Sequence, residues 1–482
     1  MRSLSVIIPV LNEEKTLKAV ITGIKLFQPL EIIVVANGCT DHSSTIAKEN
    51  GCIVIEHTEK LGQHSARVEG AKKANGDVLL FLDADFALPF SELQQFLTSI
   101  LFGNCDVTVN KNPKEHSSTE VWKKLIAEWK GHKECGKGSF CKAPFALTKE
   151  VLVKSDFIKS TYSVEAFIET LKVAGRIEHR HEIDTKTLNR FRPSHHNGFF
   201  HKISCSEKRV IKEHVESISK ELLRDKRGGY KDVGRNREIL AIQNYNVQKG
   251  WGVRSTLYDG QQLSVIVPAQ NEAKYIKSVI SQVRQLEPLE IIVVINGSTD
   301  ETEEYAKSLG ATVVLFENRL GHDVGRGVGA SLAQGDILLF VDSDFTIPAQ
   351  DLFPFAKAVQ SGIDVALNKQ IDPLTHPVPL WKYALNVACD HKKLETSSLV
   401  AVPHAMSKKV VESIGYSALA VPPLAQCKAM KEGFLVEAVH AVDVHTLNAI
   451  RLRGHFAQQG YPPTTELIVG DFFEAIHYLA KL

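Results

Sequence analysis

The chain contains one pattern written twice. Residues 5–9, Ser-Val-Ile-Ile-Pro, return at 264–268 as Ser-Val-Ile-Val-Pro, and residues 31–38 return at 290–297 with one substitution. Both pairs of segments are 259 residues apart, and the same offset relates Asp83 to Asp342. Segments that repeat over such a length fold as copies of one unit. We therefore expect two domains of the same architecture.

The repeat also sets the domain boundaries. The chain has 482 residues, of which 44% are hydrophobic, so each copy has enough apolar side chains for a core of its own. Domains usually contain roughly 100–200 residues. Subtracting the offset from the last residue ends the first copy at residue 223. We predict domains at 1–223 and 260–482 with a connector at 224–259.

The predicted connector is basic near its start. Its cations there are Arg224, Lys226, Arg227, Lys231, Arg235 and Arg237. Such a charge run is typical of a solvated linker or an exposed helix, and an anchor on an anionic membrane surface is the alternative.

Charge and cysteine usage exclude several classes of protein. Fifty-seven basic and 56 acidic side chains leave a net charge of +1, so nucleic acid is not the expected partner. The first apolar run, residues 4–9, is too short for a signal peptide or a membrane span, and no later run reaches 18 apolar residues. The eight cysteines form no Cys-x-x-Cys pair. This pattern favours a reduced, cytoplasmic chain.

Hydrophobic patterning predicts an α/β fold. In the first copy we expect strands at 4–9, 31–35, 52–56 and 77–82, with helices at 15–26 and 65–74 between them. Residues 12–14 are expected to cap the first helix, and Asp41 a second one. Continuous apolar strands alternating with amphipathic helices indicate a mostly parallel sheet. Ligands of such sheets bind beyond the carboxyl ends of the strands.

Polar residues follow those predicted strands in both copies. Two carboxylates in an Asp-x-Asp pattern at the end of a buried strand suit a hard divalent cation that also binds phosphate oxygens. The first copy has Asn12, Glu13, Asp41, Asp83 and Asp85, and the second has Asn271, Glu272, Asp300, Asp342 and Asp344.

These motifs resemble glycosyltransferase family 2. The resemblance rests on a strand followed by Pro-x-x-Asn-Glu, on Ile-Ile-Val-Val-x-Asn-Gly-x-Thr-Asp, and on Gly-Asp-x-Leu-Leu-Phe-x-Asp-x-Asp-Phe, in this order. It covers about residues 4–200 and 263–460. It implies two tandem domains of the GT-A fold, which binds nucleotide sugars.

The resemblance also implies donor-binding residues. The nucleobase and ribose are expected at Pro9, Asn12, Glu13 and Asp41, or at Pro268, Asn271, Glu272 and Asp300. Asp83 and Asp85, or Asp342 and Asp344, are expected to hold the ribose and, through Mn²⁺ or Mg²⁺, the diphosphate. The cation would neutralise charge on the departing nucleoside diphosphate.

Two further positions recur in both copies. Arg67 and Arg326 follow glycine-containing loops whose helix-start amides fit a diphosphate, and we expect them to contact the donor rather than form surface salt bridges. His181 and His440 come late in each copy. The resemblance gives them the role of a third metal ligand, while a buried structural histidine fits the same pattern.

The copies differ at the residue expected to act as base. An inverting transferase needs a carboxylate that takes the proton of the acceptor hydroxyl. The resemblance assigns this role to Glu165, and the second copy has Leu424 at that place. Asp85 and Asp344 complete the catalytic set.

Three functions stay open at this point. The first is an inverting transferase whose first domain performs the reaction with Glu165 and a donor that the resemblance implies to be a UDP-sugar. The second is a retaining transferase active in the second domain, because residues 335–344 also resemble glucosyl-3-phosphoglycerate synthases. The third is a protein that binds nucleotide sugars without turning them over.

Each copy ends in an amphipathic segment, at 207–223 and 466–482. Core packing or a contact between domains is the simplest interpretation. Docking on the inner face of a membrane, to reach a lipid-linked acceptor, is the alternative. The acceptor and the formation of homo-oligomers are not determined by the sequence.

Overall fold

The computed structural model describes residues 1–111, 118–189, 203–232, 234–242, 244–447 and 461–482. The chain forms two compact units, Met1–Ile218 and Ser219–Leu482. Each unit is built on one mixed, mostly parallel sheet covered by helices, so the predicted α/β class with two tandem domains is confirmed.

The first unit contains a seven-stranded sheet in the order β3-β2-β1-β4-β6-β5-β7. Strands β3, β2, β1 and β4 are parallel to one another, and β6 is antiparallel to both β4 and β5. The strands are β1 (Leu4–Val10), β2 (Glu31–Asn37), β3 (Ile53–His57), β4 (Val78–Phe81), β5 (Val107–Val109), β6 (Phe145–Thr148) and β7 (Ile177–Glu178). The helices are α1 (Leu17–Lys25), α2 (Ser43–Glu49), α3 (Gln63–Lys73), α4 (Phe90–Leu101), α5 (Thr119–Trp129), α6 (Lys149–Lys154), α7 (Ser163–Val173), α8 (Thr185–Leu188) and α9 (Cys205–Glu221).

The second unit repeats this order and adds one strand. Its sheet runs β8-β11-β10-β9-β12-β14-β13-β15. The strands are β8 (Asn246–Gln248), β9 (Leu263–Ala269), β10 (Glu290–Asn296), β11 (Thr312–Phe316), β12 (Ile337–Phe340), β13 (Val365–Asn368), β14 (His404–Ser407) and β15 (Val436–His440). The helices are α10 (Ile239–Ile242), α11 (Ile276–Arg284), α12 (Thr302–Ser308), α13 (Val324–Leu332), α14 (Ala349–Gln360), α15 (Pro377–Ala388), α16 (Lys408–Ile414), α17 (Pro422–Lys431), α18 (Val444–Leu447) and α19 (Pro463–Leu479).

The alternation of apolar residues explains how each sheet is covered. In the first unit, Val6, Ile8 and Val10 of β1 face a core that α1 and α4 complete, and in the second Val265 and Val267 of β9 face the corresponding core. The parallel strands β3, β2, β1 and β4 all end at the same edge of the first sheet. The loops that follow them are therefore neighbours.

The connector is not a solvated linker, contrary to the simplest interpretation of its charge. It packs within the second unit, where β8 pairs antiparallel with β11. Arg227 and Arg235 form ion pairs with Asp471 of α19 at 2.8 and 2.6 Å, and the Arg235 side chain is fully buried. Arg237 pairs with Glu474 at 2.8 Å. The acidic residues of α19 thus bind three cations of the run, Arg227, Arg235 and Arg237, while Arg224, Lys226 and Lys231 are exposed.

The last helix of each copy packs in the interior. Ile211, Val215 and Ile218 of α9 are buried, as are Phe472 and Phe473 of α19. The ring of Phe473 meets Trp381 edge-on at 4.8 Å between centroids. Core packing thus accounts for the amphipathic pattern of both segments.

The expected cap of the first helix is wrong, whereas Asp41 accepts from the N–H of Ser43, the first residue of α2, at 3.0 Å. Helix α1 begins at Leu17, and its N-cap Thr16 makes no side-chain cap hydrogen bond. Asn12 instead adopts a left-handed backbone with φ 57°, and Asn271 does the same at 56°. Asparagine tolerates this conformation better than most residues, which explains why both copies have it there.

None of the helices in the described ranges is long and apolar enough to cross a membrane. The eight cysteines all lie in the described ranges, and none of them forms a disulfide bond.

Candidate active site

The loops after β1 and β2 are tied together by side chains that the sequence singled out. The Asn12 amide donates to Thr40 Oγ1 at 3.1 Å and accepts from the Thr40 backbone N–H at 2.7 Å. The Asp41 carboxylate accepts from the backbone N–H groups of Glu14 and Ser43, both at 3.0 Å. These bonds fix the two loops as one rim at the carboxyl edge of the sheet.

The second unit builds the same rim. Asn271 accepts from the Thr299 N–H at 2.7 Å, and Asp300 accepts from the N–H groups of Ala273 and Thr302 at 3.0 and 3.1 Å. Glu13 and Glu272 are both buried, and their backbone N–H groups donate to Ser43 and Thr302. Pro9 and Pro268 lie in the adjoining strands β1 and β9.

The rim aspartates stay ionised. Burial opposes ionisation of Asp41, but hydrogen bonds from Ser43 and from the Glu14 amide outweigh it and hold the pKa of Asp41 below its usual range. At Asp300, burial also opposes ionisation, but hydrogen bonds from Thr302 and Ala273 outweigh it and lower the pKa of Asp300. Each unit therefore has one fixed negative charge at the equivalent place, Asp41 in the first and Asp300 in the second.

Arg67 organises the centre of the first site. Its guanidinium is fully buried, with Nη2 3.0 Å from Asp83 Oδ1 and Nη1 2.9 Å from the Phe140 carbonyl oxygen. Gln63 donates to the same Asp83 oxygen at 3.0 Å. Arg67 is thus not a surface ion pair. It holds Asp83, the first carboxylate of the Asp-x-Asp pair, through a buried guanidinium.

Arg67 also links Asp83 to the helix that carries the expected base. Its Nη1 donates to Ser163 Oγ, the first residue of α7, at 3.3 Å. Glu165 lies two residues further on, in the first turn of α7, and its Oε2 accepts from the Thr161 N–H at 2.7 Å. One buried guanidinium therefore ties the Asp-x-Asp loop to the N-terminus of α7.

Next to Glu165, a hydrogen bond to Glu216 raises the pKa of Tyr162 to about 12, and burial acts in the same direction. This phenol stays neutral around physiological pH.

Arg326 has different partners in the second unit. Its Nη2 lies 3.2 Å from Asp342 Oδ1, as expected from the repeat, but its Nη1 lies 3.0 Å from Asp323 Oδ1. Helix α17, the counterpart of α7, begins with Pro422 and has Leu424 where α7 has Glu165. The second unit thus keeps the arginine pair to Asp-x-Asp and lacks both the serine link and the carboxylate.

The sequence profile of "Glycosyl transferase family 2" matches residues 5–159 and 264–393, more than half of the chain. The chain belongs to glycosyltransferase family 2. The family suggested by the motifs is thereby confirmed, and both matched stretches contain an Asp-x-Asp pair.

Curated relatives of this family 2 chain match over shorter stretches. Undecaprenyl-phosphate 4-deoxy-4-formamido-L-arabinose transferase of Photorhabdus laumondii is 33% identical over 108 residues, which are 20% of this chain and 33% of that protein. Low-salt glycan biosynthesis hexosyltransferase Agl6 of Haloferax volcanii is 35% identical over 111 residues, 22% of this chain and 27% of that protein. Glucosyl-3-phosphoglycerate synthase of Mycolicibacterium paratuberculosis is 36% identical over 141 residues, 26% and 42% of the two chains. The chain thus spans less than half the length of these relatives.

Solved structures similar to the chain include glucosyl-3-phosphoglycerate synthase from Mycobacterium tuberculosis in complex with Mn²⁺, UDP and phosphoglyceric acid. It has 19% identity and a TM-score of 0.35, and the match covers 51% of this chain and 82% of that one. Mannosyl-3-phosphoglycerate synthase from Rubrobacter xylanophilus has 16% identity and a TM-score of 0.38, covering 46% and 75%. Scores of this size carry no argument about a ligand.

The carboxylates of the family 2 motif suit a hard cation in both units. One carboxylate oxygen, Oδ1, of Asp85 and of Asp344 is shielded from solvent. In the part of the chain that the structure describes, no group of three or more His, Cys, Asp and Glu side chains is arranged to hold a metal ion. The donor set therefore fits Mg²⁺ or Mn²⁺ that takes its remaining ligands from phosphate and water.

The late histidines have other neighbours. The ring of His181 meets Phe96 of α4 edge-on at 5.3 Å between centroids. His440 Nε2 lies 3.3 Å from Asp351 Oδ1 on α14, the counterpart of α4. Their role as a third metal ligand stays a prediction.

Sequence reasoning missed Ser163 and Asp323. Ser163 bonds Arg67, and its counterpart is Pro422, so the loss of a hydroxyl between the copies was a signal. Asp323 corresponds to His64, a change of charge three residues before the arginine. Residue-by-residue alignment of the two copies would have found both.

Proposed function

We propose that the chain is a metal-dependent glycosyltransferase that moves a sugar from a nucleoside-diphosphate sugar, a UDP-sugar, to a hydroxyl acceptor, with inversion at the anomeric carbon. The reaction takes place in the first domain. Glu165 is the base, and Asp83 and Asp85 hold the donor.

The observation that carries this proposal is the position of Arg67. It bonds Asp83 of the donor motif and Ser163 at the start of α7, so one buried guanidinium connects the donor motif to the helix whose first turn carries Glu165. Because the guanidinium of Arg67 is fully buried, water does not compete for its hydrogen bonds to these elements.

Each part of the site has a role in this reaction. The rim of Asn12, Glu13 and Asp41, with Pro9 beside it, receives the nucleoside. Asp85, with Asp83, holds the cation that neutralises charge on the departing diphosphate. The acceptor oxygen forms a bond to the anomeric carbon as the bond from that carbon to the diphosphate oxygen breaks, and Glu165 takes the hydroxyl proton.

The acceptor is left open among lipid carrier, polysaccharide, small metabolite and protein. The relatives named for undecaprenyl phosphate, for a glycan and for phosphoglycerate match over only 20–26% of this chain. Acceptor recognition depends on variable loops, which a shared motif does not describe.

Donor hydrolysis tests the proposal without an acceptor. Wild type, Asp85→Ala and Asp344→Ala are each incubated with Mn²⁺ and a panel of UDP-, GDP-, dTDP- and CDP-sugars, and release of the free sugar is measured. We expect roughly a 100- to 1000-fold loss in Asp85→Ala, because removal of one electrostatic stabiliser costs about that much, and little change in Asp344→Ala. Absence of hydrolysis together with absence of donor binding would refute the transferase.

The retaining alternative is separated by stereochemistry. The similarity to glucosyl-3-phosphoglycerate synthase favours it, and the second domain needs no base in that case. NMR of the first anomer formed from the donor distinguishes the two. Retention of configuration, with activity lost in Asp344→Ala, would replace our proposal by the retaining one.

A further inference from the structure

Position 64 of the first copy corresponds to position 323 of the second: His64 lies in the first turn of α3, and Asp323 directly precedes α13. His64 is buried beside Arg67, and its Nδ1 lies 3.4 Å from Ser163 Oγ. Burial, with Arg67 next to it, lowers the pKa of His64 to about 4, so the imidazole is neutral. The first copy thus has a neutral ring at the position where the second copy has the carboxylate of Asp323.

Asp323 provides such an anion in the second unit. Its carboxylate lies 2.7 Å from His322 Nδ1, 3.0 Å from Arg326 Nη1 and 3.8 Å from Arg235 Nη2. Burial opposes its ionisation, but His322 and Arg326 hold the pKa of Asp323 well below its usual range. Arg326 therefore meets two carboxylates of the chain, Asp323 and Asp342, whereas Arg67 meets that of Asp83.

The space in front of the two loops differs as well. A Cβ atom placed on Gly62 would meet nothing within 4 Å, whereas one on Gly321 would lie 2.2 Å from the carbonyl oxygen of Gly234. The connector is fastened there, because the Asn236 N–H donates to the Leu320 carbonyl at 2.7 Å and Arg235 is held by Asp471 at 2.6 Å. Connector backbone fills a space that is open in the first unit.

We propose that only the first domain binds the diphosphate of the donor, and that residues 64 and 323 determine this difference. In the second domain the Asp323 carboxylate and the Gly234–Arg235 backbone take the places of the ligand. This inference rests on the proposed function and assigns its donor site to one domain.

The stoichiometry of nucleotide binding tests it. The full chain is titrated with UDP, and separately with GDP, in the presence of Mn²⁺ by isothermal calorimetry. We expect one site per chain, and we expect Asp85→Ala to remove it. Two sites of similar affinity, or one site lost in Asp344→Ala, would overturn the inference and leave the transferase standing. No binding of either nucleotide would overturn both.

Exchange of the determining residue gives the second test. His64→Asp introduces the extra carboxylate beside Arg67, and we expect UDP to bind about tenfold or more weakly. His64→Asn, which removes the imidazole without adding charge, should stay within about threefold of wild type. Asp323→His is the matched control and should leave the affinity of the single site unchanged.

Either exchange could disturb folding, so the melting temperature of each variant is measured alongside. Equal UDP affinity of a folded His64→Asp variant and wild type would overturn the role of this residue. The stoichiometry experiment, which uses neither exchange, would still decide how many domains bind.

Discussion

The loops at 61–67 and 320–326 occupy equivalent positions in the two copies and have different surroundings. Both are held from behind in the same way, because Asn37 accepts from the Leu61 N–H and Asn296 from the Leu320 N–H. In front, the first loop is open at Gly62, and the second lies under the connector. The two loops therefore share one anchor and differ in one charge and in the segment packed against them. On our proposal, these two differences decide which copy binds the donor.

The largest expected difference between the copies is at the base. Glu165→Gln should lower sugar transfer by roughly 100- to 10,000-fold, the usual contribution of a general base, and should leave UDP binding intact. The measurement is initial rate against acceptor concentration, once an acceptor is found, or donor hydrolysis before that. Leu424→Gln, which introduces the same side chain at the equivalent position of the second copy, should have no effect. Full activity of Glu165→Gln would exclude this residue as the base.

Arg235 should matter most for the stability of the second unit. Arg235→Ala leaves the buried Asp471 carboxylate short of a partner, and breaking a buried pair costs about 3–5 kcal/mol. We expect the melting temperature, followed by scanning calorimetry, to fall by roughly 10 °C. Lys48→Ala removes a pair with Glu56 that is exposed on both sides, and should leave the melting temperature unchanged. Equal melting temperatures would mean that the connector does not contribute to the core.

Acid should destabilise both units through histidines at different positions. Burial lowers the pKa of His64 to about 4 and that of His404 to about 3, from 6.5 in the unfolded chain. Unfolding then takes up a proton below pH 6.5, so stability is fullest above that pH and falls as the pH drops toward the folded-state pKa values. Each histidine should remove about 2 kcal/mol between pH 7 and pH 5.

His404→Phe tests this prediction with the residue that the first copy already has, because Phe145 holds the equivalent position. His404 stacks on Phe340 at 5.0 Å and Phe145 on Phe81 at 4.6 Å, so the ring packing is retained. We expect a smaller loss of melting temperature between pH 7 and pH 5 than in wild type. An unchanged pH dependence would show that His404 does not take part.

The smallest effect is expected at the serine link. Ser163→Ala removes one hydrogen bond to Arg67, and a bond to a charged group contributes about 1.5–3 kcal/mol at most. We expect donor hydrolysis to fall by roughly tenfold, with Glu165 less well positioned. Ser160→Ala, which removes an exposed hydroxyl bonded to the Asp156 carbonyl, should behave like wild type. A wild-type rate in both variants would place the positioning of α7 elsewhere.

Much of the fold and of the donor motif could be predicted because their determinants are local. The apolar runs of β1 and β2 and the positions of Asp83 and Asp85 after β4 follow from strand patterning and from what phosphate and metal demand. The repeat made each prediction twice. Residues whose type is set by the chemistry of phosphate and metal are therefore recognisable from the sequence alone.

The remainder depends on contacts between distant segments. The partner of Arg235 is Asp471, 236 residues away, and nothing in the connector indicates that its cations are buried. The burial of the Arg67 side chain could not be predicted either. It results from contacts with Phe140, Phe145 and Ser163, which lie far from Arg67 in the sequence. The cap of α1 was mispredicted because Asn12 bonds Thr40 of the neighbouring loop instead of its own helix.

The strand that the connector adds has a practical consequence. A fragment cut at the repeat boundary, residue 260, would lose β8 and leave the backbone of β11 without its antiparallel partner. It would also lose Tyr258, which is fully buried against the helices of that unit. Unpaired strand edges are templates for aggregation. The smallest expression unit for the second domain is therefore expected to begin near residue 219, where the compact unit begins, and not where the repeat does.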